Sequence, residues 1–301
     1  MDSSVRRGSV EMMVAMLISG TIGCFVLVSG QPVLEVVFWR CVFGAGTLLL
    51  ICAGFGFLKP GVIGRTAFLL AIASGVAIVG NWVLLFASYS RASIAIGTAV
   101  YNVQPFMLVG LAALFLGEKI TAAKLTWLSV AFLGMLAIVS AHGAGQGSGN
   151  DYLLGIALAL GAALLYAVAA LIIKRLSGTP PHLIALIQVS TGVLLLAPWI
   201  KLGGLPAEPS ALASLITLGI VHTGVMYVLL YSAIQRLPTA LTGALSFIYP
   251  IAAILVDWIA FGHRLAPLQW LGVALILVAA AGMQQGWWFK PAPRVEALKP
   301  E

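Results

Sequence analysis

Long apolar runs, each about the length of a membrane span, follow one another along almost the whole chain. A transmembrane helix requires about 20 consecutive, mostly apolar residues. Only a few polar residues separate the runs, which leaves no room for a soluble domain. The pattern predicts an all-α integral membrane protein with ten transmembrane helices, at residues 10–29, 33–57, 66–89, 92–116, 122–141, 152–173, 181–200, 210–233, 238–261 and 266–288.

The composition excludes the main soluble classes. Hydrophobic residues make up 61% of the 301 residues and charged residues only 8%, whereas soluble domains carry about 25% charged residues. So few charges cannot cover a water-facing surface, so a soluble enzyme and a disordered protein are excluded. The three cysteines, an odd number without metal-ligand spacing, lie in or near apolar runs and are interpreted as packing residues: Cys24, Cys41 and Cys52.

The distribution of basic residues predicts the orientation. The net charge is +7, but Lys and Arg occur in ones and twos between spans, so they form no patch for nucleic acid. Of the 16 basic residues, twelve fall on the side that carries both termini, three fall on the other side, and Arg40 lies inside a span. Positive residues favour the cytoplasm, so we expect both termini to be cytoplasmic.

The two halves of the chain resemble each other. A constant shift of 145 residues superposes the Arg, Pro and Gly positions Arg91 and Arg236, Pro105 and Pro250, and Gly117 and Gly262. Five spans per half place the halves in opposite orientations, which is typical of carriers with alternating access. The predicted units are residues 1–142 and 151–289, a linker at 143–150 and a cytoplasmic tail at 290–301. The alternative is an old duplication retained for packing.

The chain also resembles the ten-helix EamA-type exporters of the drug/metabolite transporter superfamily. The resemblance rests on the two five-helix halves, on Phe38-Trp39-Arg40, on the Ser-Arg-Ala-Ser run before span four, and on the proline-centred spans four and nine. It implies a bundle around a cavity lined by spans one, three, four, six, eight and nine. It also implies export of amino acids or related small metabolites through the inner membrane of a bacterium, without a cofactor.

Polar and aromatic residues within the spans are the candidate solute-binding groups, because polar side chains in a membrane usually face a cavity or another helix. Proline-broken helices at matching repeat positions, here Pro105 and Pro250, indicate a transport site. The alternative is that each proline only kinks its helix and each hydroxyl bonds its own backbone. The predicted substrate-binding residues are Asn81, Trp82, Tyr101, Asn102, Gln104, Tyr166, His222, Tyr227, Ser246 and Tyr249.

Two opposite charges lie well inside the predicted spans. Arg40 and Asp257 are about seven and four residues from the outer ends of spans two and nine, which places both roughly 6–10 Å below the outer surface. Their pairing predicts a latch that opens in one state, or a permanent brace between the two helices. A third interpretation is that Arg40 binds a substrate carboxylate.

His222 admits two interpretations. Imidazole titrates near neutral pH, so it could carry a coupling proton. The repeat counterpart is Ala77, so no symmetric partner supports that role. A hydrogen-bonded structural histidine or a polar cavity residue is the alternative.

The sequence therefore predicts a secondary transporter rather than an enzyme, with a small-molecule solute and the lipid bilayer as its partners. No metal cluster and no nucleotide-binding loop are apparent, and the oligomeric state is open. An intramembrane enzyme would need a nucleophile with a base, paired aspartates or a metal site. That class, and carriers of other solutes such as nucleosides or drugs, remain the alternatives.

Overall fold

The structure is a computed structural model that describes residues 3–140, 150–200, 205–261, 267–285 and 287. Helices dominate these residues, and no strand occurs among them. The helices are α1 (Ser3–Ser19), α2 (Ile22–Ser29), α3 (Val33–Gly54), α4 (Arg65–Tyr101), α5 (Gln104–Leu116), α6 (Ala122–Ser140), α7 (Asn150–Arg175), α8 (Pro181–Leu196), α9 (Pro209–Gly219), α10 (Met226–Arg236), α11 (Thr239–Ser246), α12 (Ile248–Phe261) and α13 (Pro267–Gln285).

The all-helical membrane class is confirmed at the level of composition and helix length. Within the described residues, six helical segments are long and apolar enough to cross a bilayer. They are Ser3–Val26, Val33–Gly54, Arg65–Tyr89, Asp151–Arg175, Pro181–Trp199 and Pro209–Arg236. Three further apolar helices are shorter, at Gln104–Leu116, Ala122–Ala137 and Trp270–Met283. The count of ten spans stays a prediction. The predicted tail and most of the linker lie outside the described residues.

The outer surface of the bundle is apolar and its interior holds polar groups. Leu50, Leu114 and Leu194 are each at least 75% exposed, whereas Arg40 and Asn81 are 1% exposed. An apolar exterior of this extent suits hydrocarbon rather than water. The polar interior instead marks the part of the molecule where hydrated solutes or specific partners are accommodated.

The predicted boundary between spans three and four falls inside α4, which is assigned as one helix of 37 residues. A Cβ atom placed on Gly97 would lie 2.7 Å from Ser88 Oγ and 3.0 Å from the ring of Tyr89. In a straight helix nine residues span about 13 Å. The chain therefore bends sharply between Tyr89 and Gly97, near the predicted boundary between spans three and four, and the division into two spans stays a prediction.

Helical geometry is interrupted just before both prolines. The breaks are at Asn102–Val103, between α4 and α5, and at Phe247, between α11 and α12. Proline lacks an N–H group, and its ring clashes with the carbonyl four residues earlier in a continuous helix. For Pro105 and Pro250 that carbonyl belongs to the last residue of α4 and of α11. The two breaks are thus related by the same shift of 145 residues.

Close backbone approaches define how the helices pack. In the bundle α4 packs on α7 and α8, α1 on α10, α3 on α8 and α9, α5 on α7 and α11, and α6 on α13. A Cβ atom on Gly75 of α4 would lie 2.9 Å from Gln188 Cα of α8. One on Gly219 of α9 would lie 2.3 Å from Phe43 Cβ of α3. At both crossings only glycine permits this separation.

Candidate functional site

Ion pairs and hydrogen bonds join several helix ends at one side of the bundle, which we call the N-terminal end because α1 begins there. Arg236, the last residue of α10, pairs with Glu11 of α1 at 2.7 Å. Glu118, two residues after α5, accepts a hydrogen bond of 2.6 Å from Thr239 at the start of α11. Lys174 near the end of α7 lies 3.4 Å from the same carboxylate. These contacts join α1, α5, α7, α10 and α11 at this end of the bundle.

A cavity lies inside the bundle, and its lining includes Ser246 of α11 and Tyr89 of α4. Ser246 in its wall lies seven residues from the start of α11, about 10 Å into the bundle, whereas Tyr89 lies about 36 Å along α4 from its start. The empty space in the cavity and at its open mouth, solvent included, is about 710 Å³. The lining residues are Met16, Ser19, Ile22, Gly23, Arg40, Asn81, Trp82, Leu85, Phe86, Tyr89, Tyr101, Gln104, Tyr166, Met226, Tyr227, Leu230, Ser246 and Tyr249.

Aromatic rings form much of the cavity wall. The indole N–H of Trp82 donates to the hydroxyl of Tyr227 over 2.8 Å, and the two rings meet edge to face with centroids 5.4 Å apart. Tyr101 and Tyr166 form a second edge-to-face pair at 6.2 Å. Such rings combine a large apolar area with polar edges. The wall therefore suits a solute that is partly apolar.

Arg40 contributes a positive charge to this wall. Its guanidinium lies 4.0 Å above the ring of Trp82, which is within the range of cation–π attraction. Its Nε donates to Thr223 Oγ1 over 3.1 Å, and one terminal nitrogen lies 3.5 Å from the carbonyl oxygen of His222. Among the described residues, no carboxylate pairs with Arg40.

A π-helical segment at Ile220–Val225 positions the partners of Arg40. In this segment the Thr223 hydroxyl donates to the carbonyl of Leu218 over 2.8 Å, and Nδ1 of His222 lies 3.2 Å from the carbonyl of Thr217. Both carbonyls belong to the residue five positions earlier. Short π segments are rare and frequently occur at functional sites. Here the segment directs Thr223 towards α3.

His222 contacts the break between α1 and α2. Its Nε2 lies 2.6 Å from the hydroxyl of Thr21, and its ring lies tilted against that of Phe25 with centroids 5.1 Å apart. The side chain is 1% exposed. These contacts place His222 in packing between α2 and the π-helical segment, beside the cavity rather than in its lining.

Two side-chain amides complete the polar part of the cavity. Asn81 donates to the carbonyl of Ala162 over 2.7 Å, so its amide nitrogen is engaged by α7. Gln104 is 7% exposed, and its Oε1 atom lacks a hydrogen-bond partner among the described residues. A buried acceptor without a partner is costly. Gln104 is therefore a lining residue whose buried acceptor is unsatisfied.

The cavity gathers most of the predicted binding residues, and their binding role remains a prediction. Asn102 is buried but does not line the cavity, and neither does His222. The pairing of Arg40 with Asp257 also stays a prediction, because the Asp257 side chain, like that of Pro250, lies outside the described residues. Pro105 is buried, and a Cβ on Gly243 would lie 3.0 Å from its ring. The predicted residues in the lining are Asn81, Trp82, Tyr101, Gln104, Tyr166, Tyr227, Ser246 and Tyr249.

The structure adds lining residues that sequence reasoning missed. Ser19 donates to the sulfur of Met226 over 2.8 Å, joining α1 to α10. Phe86 and Leu230 occupy corresponding helices, one turn from Trp82 and Tyr227, respectively. The sequence signal that could have identified Phe86 and Leu230 is their i, i+4 and i, i+3 spacing from Trp82 and Tyr227, which places them on the same helix faces.

Comparison with known protein families identifies the chain's class. The model of the EamA-like transporter family matches residues 6–140 and again residues 153–284. The chain belongs to the EamA-like transporter family. The resemblance to the drug/metabolite transporter superfamily is thereby confirmed, and with it the assignment to membrane transporters.

Several relatives are similar over most of their length. An uncharacterized transporter of Bacillus subtilis, YxxF, is 30% identical over 281 residues, which cover 90% of this chain and 88% of that protein. The threonine/homoserine exporter RhtA of Escherichia coli is 28% identical, with coverage of 79% and 77%. A probable terminal-alkyne amino-acid exporter of Streptantibioticus cattleyicolor is 27% identical, with coverage of 77% of each chain.

A solved crystal structure has the same fold. It superposes with a TM-score of 0.80 at 20% sequence identity, and the match covers 97% of this chain and 99% of the other. At this identity the likeness concerns the fold alone.

Proposed function

We propose that this EamA-family protein is a secondary carrier that exports amino acids or related small metabolites across a bacterial inner membrane. The proposal rests on the cavity at the junction of the two halves. Two of its wall residues, Trp82 and Tyr227, occupy equivalent repeat positions and hydrogen bond to each other. Residues related by a two-fold axis touch only where they lie close to that axis. The cavity therefore sits where an inverted-repeat carrier would bind its solute.

The pairing of helices supports two inverted halves. If spans three and eight, and one and six, are equivalent, then the contact of α4 with α7 corresponds to that of α10 with α1. The contacts of α3 with α8 and of α6 with α13 each map onto themselves. The family model also matches each half separately. An arrangement of this kind gives a protein two related conformations with the site open alternately to each side.

The contacts that join helices at the N-terminal end correspond to one of these conformations, in which that end is closed. With both termini in the cytoplasm, as the basic residues predict, this is the outward-facing state. The named exporters among the relatives favour amino acids as the solute class. The partly aromatic wall of the cavity suits an amphipathic solute of this class. The remaining candidate class is an intramembrane enzyme. An enzyme converts its solute into a product, whereas a carrier releases the solute unchanged.

Counterflow in proteoliposomes tests the carrier assignment. Vesicles loaded with unlabelled threonine, homoserine, phenylalanine or a nucleoside are diluted into the same labelled compound. We expect transient accumulation of at least one amino acid, recovered chemically unchanged. Trp82→Ala should abolish accumulation, because it removes a cavity wall, whereas Trp199→Ala is the matched control, since Trp199 is 74% exposed on the outer surface. Conversion of the solute to a product would contradict the carrier assignment.

Cysteine labelling tests the inverted halves. Single cysteines replace Ser3 and Gln146 in a background that lacks the three native cysteines. An impermeant thiol reagent applied to intact cells should label only the variant at position 146, because five spans separate the two positions. Labelling of both positions from the same side would exclude inverted halves.

A further inference from the structure

Arg40 is a buried cation that the described protein leaves without an anion. Its side chain is 1% exposed, it lines the cavity, and the described ion pairs all involve other residues. The guanidinium of arginine is charged in proteins. A charge in such an environment is expensive unless an opposite charge or strong acceptors compensate it.

The contacts of Arg40 orient the guanidinium without neutralising it. A guanidinium carries five N–H donors, and two protein oxygens accept from it, Thr223 Oγ1 at 3.1 Å and the His222 carbonyl at 3.5 Å. The ring of Trp82 covers one face at 4.0 Å. Both oxygens are uncharged, and the remaining N–H groups have no partner among the described residues. The fork-like donor arrangement of arginine matches a carboxylate in two-point contact.

The repeat symmetry makes this charge specific to one side of the site. A weaker repeat match, with a shift of 148 residues, aligns Arg40 and Gly44 with Gln188 and Gly192. The amide nitrogen of Gln188 donates to Ser74 over 2.7 Å, and its oxygen accepts from Tyr231. Gln188 is thus satisfied by protein groups alone, whereas Arg40 is not. At Gln188 a neutral amide is sufficient for packing and hydrogen bonding. The positive charge of Arg40 therefore needs an explanation other than packing.

Gln104 supplies the complementary group. Gln104 lines the same cavity, and its buried Oε1 accepts no hydrogen bond from the described residues, so this atom is free to receive an N–H or O–H donor. The cavity lining contains no Asp or Glu among the described residues. A solute with an ammonium group but no carboxylate would therefore meet an arginine and no anion, which disfavours cationic amines.

We infer that the carboxylate of the transported solute binds Arg40 and that a donor group of the solute binds Gln104 Oε1. This inference rests on the proposed function and narrows its substrate class to neutral amino acids and related monocarboxylates that carry a second polar donor. Amines, carboxamides and amino alcohols of the same skeleton should be excluded.

Competition in the counterflow assay measures this selectivity. Labelled threonine, or whichever amino acid exchanges, is competed with the unlabelled amino acid, its carboxamide and its 2-hydroxy analogue. We expect the carboxamide to compete about ten- to hundredfold more weakly, as for the loss of a hydrogen bond to a charged group. The 2-hydroxy acid, which keeps the carboxylate and one donor, should compete within about tenfold of the amino acid.

Matched variants assign the selectivity to Arg40. In Arg40→Gln, which installs the residue found at the equivalent position of the other half, the ratio between amino acid and carboxamide should fall to about one. Arg40→Lys should retain part of it, because the charge remains but the two-point geometry is lost. Arg91→Gln is the control, since Arg91 is exposed and donates to the Ala87 carbonyl, and it should keep the full ratio.

Several outcomes would overturn the inference. An undiminished ratio in folded Arg40→Gln protein excludes Arg40 as the carboxylate site. If Asp257→Asn removes the selectivity as completely as Arg40→Gln does, the pair between these two residues, and not a solute carboxylate, explains the charge. Equal competition by the amino acid and its carboxamide in the wild-type protein also overturns the inference, and this result needs no variant to fold.

Failure of the proposed function has a different signature. Without exchange of any amino acid, the carrier assignment to this solute class fails. Thermal stability of the purified protein then decides the subsite, using the 2-hydroxy acid and its amide as probes. If the 2-hydroxy acid but not its amide stabilises the wild-type protein, and neither stabilises Arg40→Gln, the assignment of Arg40 as the carboxylate site stands. No stabilisation by the acid would overturn it.

Discussion

Gly44→Ala tests whether the contact between α3 and the π-helical segment is as close as the structure has it. A Cβ atom at position 44 would lie 2.7 Å from Thr223 Cγ2, 3.1 Å from Thr223 Cβ and 3.3 Å from the carbonyl oxygen of Gly219. Thr223 cannot rotate away without losing its bonds to the Leu218 carbonyl and to Arg40. The added methyl group therefore has to push the helices apart or turn Thr223.

The size of the effect follows from a comparison with Gly46→Ala. Gly46 is two residues away on the same helix, and its added Cβ would meet nothing within 4 Å. Replacing glycine by alanine in a helix gains up to about 1 kcal/mol at either position. Overpacking costs about 1–3 kcal/mol and applies only at Gly44. The free energies of unfolding of the two variants should therefore differ by about 1–3 kcal/mol.

Equilibrium unfolding in mixed detergent micelles, followed by circular dichroism, measures this difference. Counterflow of the exchanged amino acid provides the second measurement, because a displaced Thr223 no longer orients Arg40. We expect exchange to fall in Gly44→Ala and to stay at the wild-type rate in Gly46→Ala. Equal unfolding free energies together with equal exchange rates would refute the close crossing of α3 and the π-helical segment.

Three further changes probe the N-terminal end, the aromatic pair and the buried amide. Glu118→Gln weakens the contact with Lys174. It should increase the labelling rate of a cavity cysteine by an impermeant thiol reagent applied from the N-terminal end by up to about fivefold, as for the loss of a partly exposed ion pair. An unchanged labelling rate would contradict closure by this contact. Tyr227→Phe leaves the Trp82 N–H without its acceptor and should lower the affinity for solute by about tenfold, and an unchanged half-saturation concentration in counterflow would contradict a role for this bond. Gln104→Leu removes a buried acceptor without a partner and should stabilise the empty protein by about 1 kcal/mol while weakening solute binding; a loss of stability in the unfolding assay would contradict the absence of a partner.

The cavity wall could be predicted from the sequence because its signals are local and repeated. Trp82 and Tyr227 stand at equivalent positions of the two halves, and each lies deep in an apolar run where a polar edge needs a partner. Gln104 immediately precedes a proline in span four, and this local pattern indicates a broken helix beside a cavity. Periodicity and the shift of 145 residues were therefore sufficient to bring these residues together in one hypothesis.

The environment of Arg40 could not be predicted in the same way. Its partner Thr223 is oriented by a π-helical segment, and the five-residue hydrogen bonds that define this segment leave no composition signal in the sequence. The sequence indicates only that a charge inside a span requires a partner. It suggests Asp257 as that partner because both residues are predicted at a similar depth below the outer membrane surface. The contact of His222 with Thr21 likewise depends on the helix break between α1 and α2, which cannot be recognised within a continuous apolar run of the sequence.

The charges at the N-terminal end are unevenly shared between the two proposed halves, and this affects how the proposed carrier would change state. Glu118 bonds Thr239 and Lys174 there, while the residue at its repeat position is His263, so the sequence does not copy this carboxylate at the opposite end. A symmetric scaffold has two conformations of similar energy, and unequal contacts at its ends make one of them more stable. Each partly exposed ion pair contributes at most about 1 kcal/mol, whereas a shift from 1:99 to 99:1 requires about 5.5 kcal/mol. In the proposed alternating-access carrier, the contacts of Glu118 and Glu11 therefore favour closure at this end by an amount that solute binding can reverse, as repeated transport cycles require.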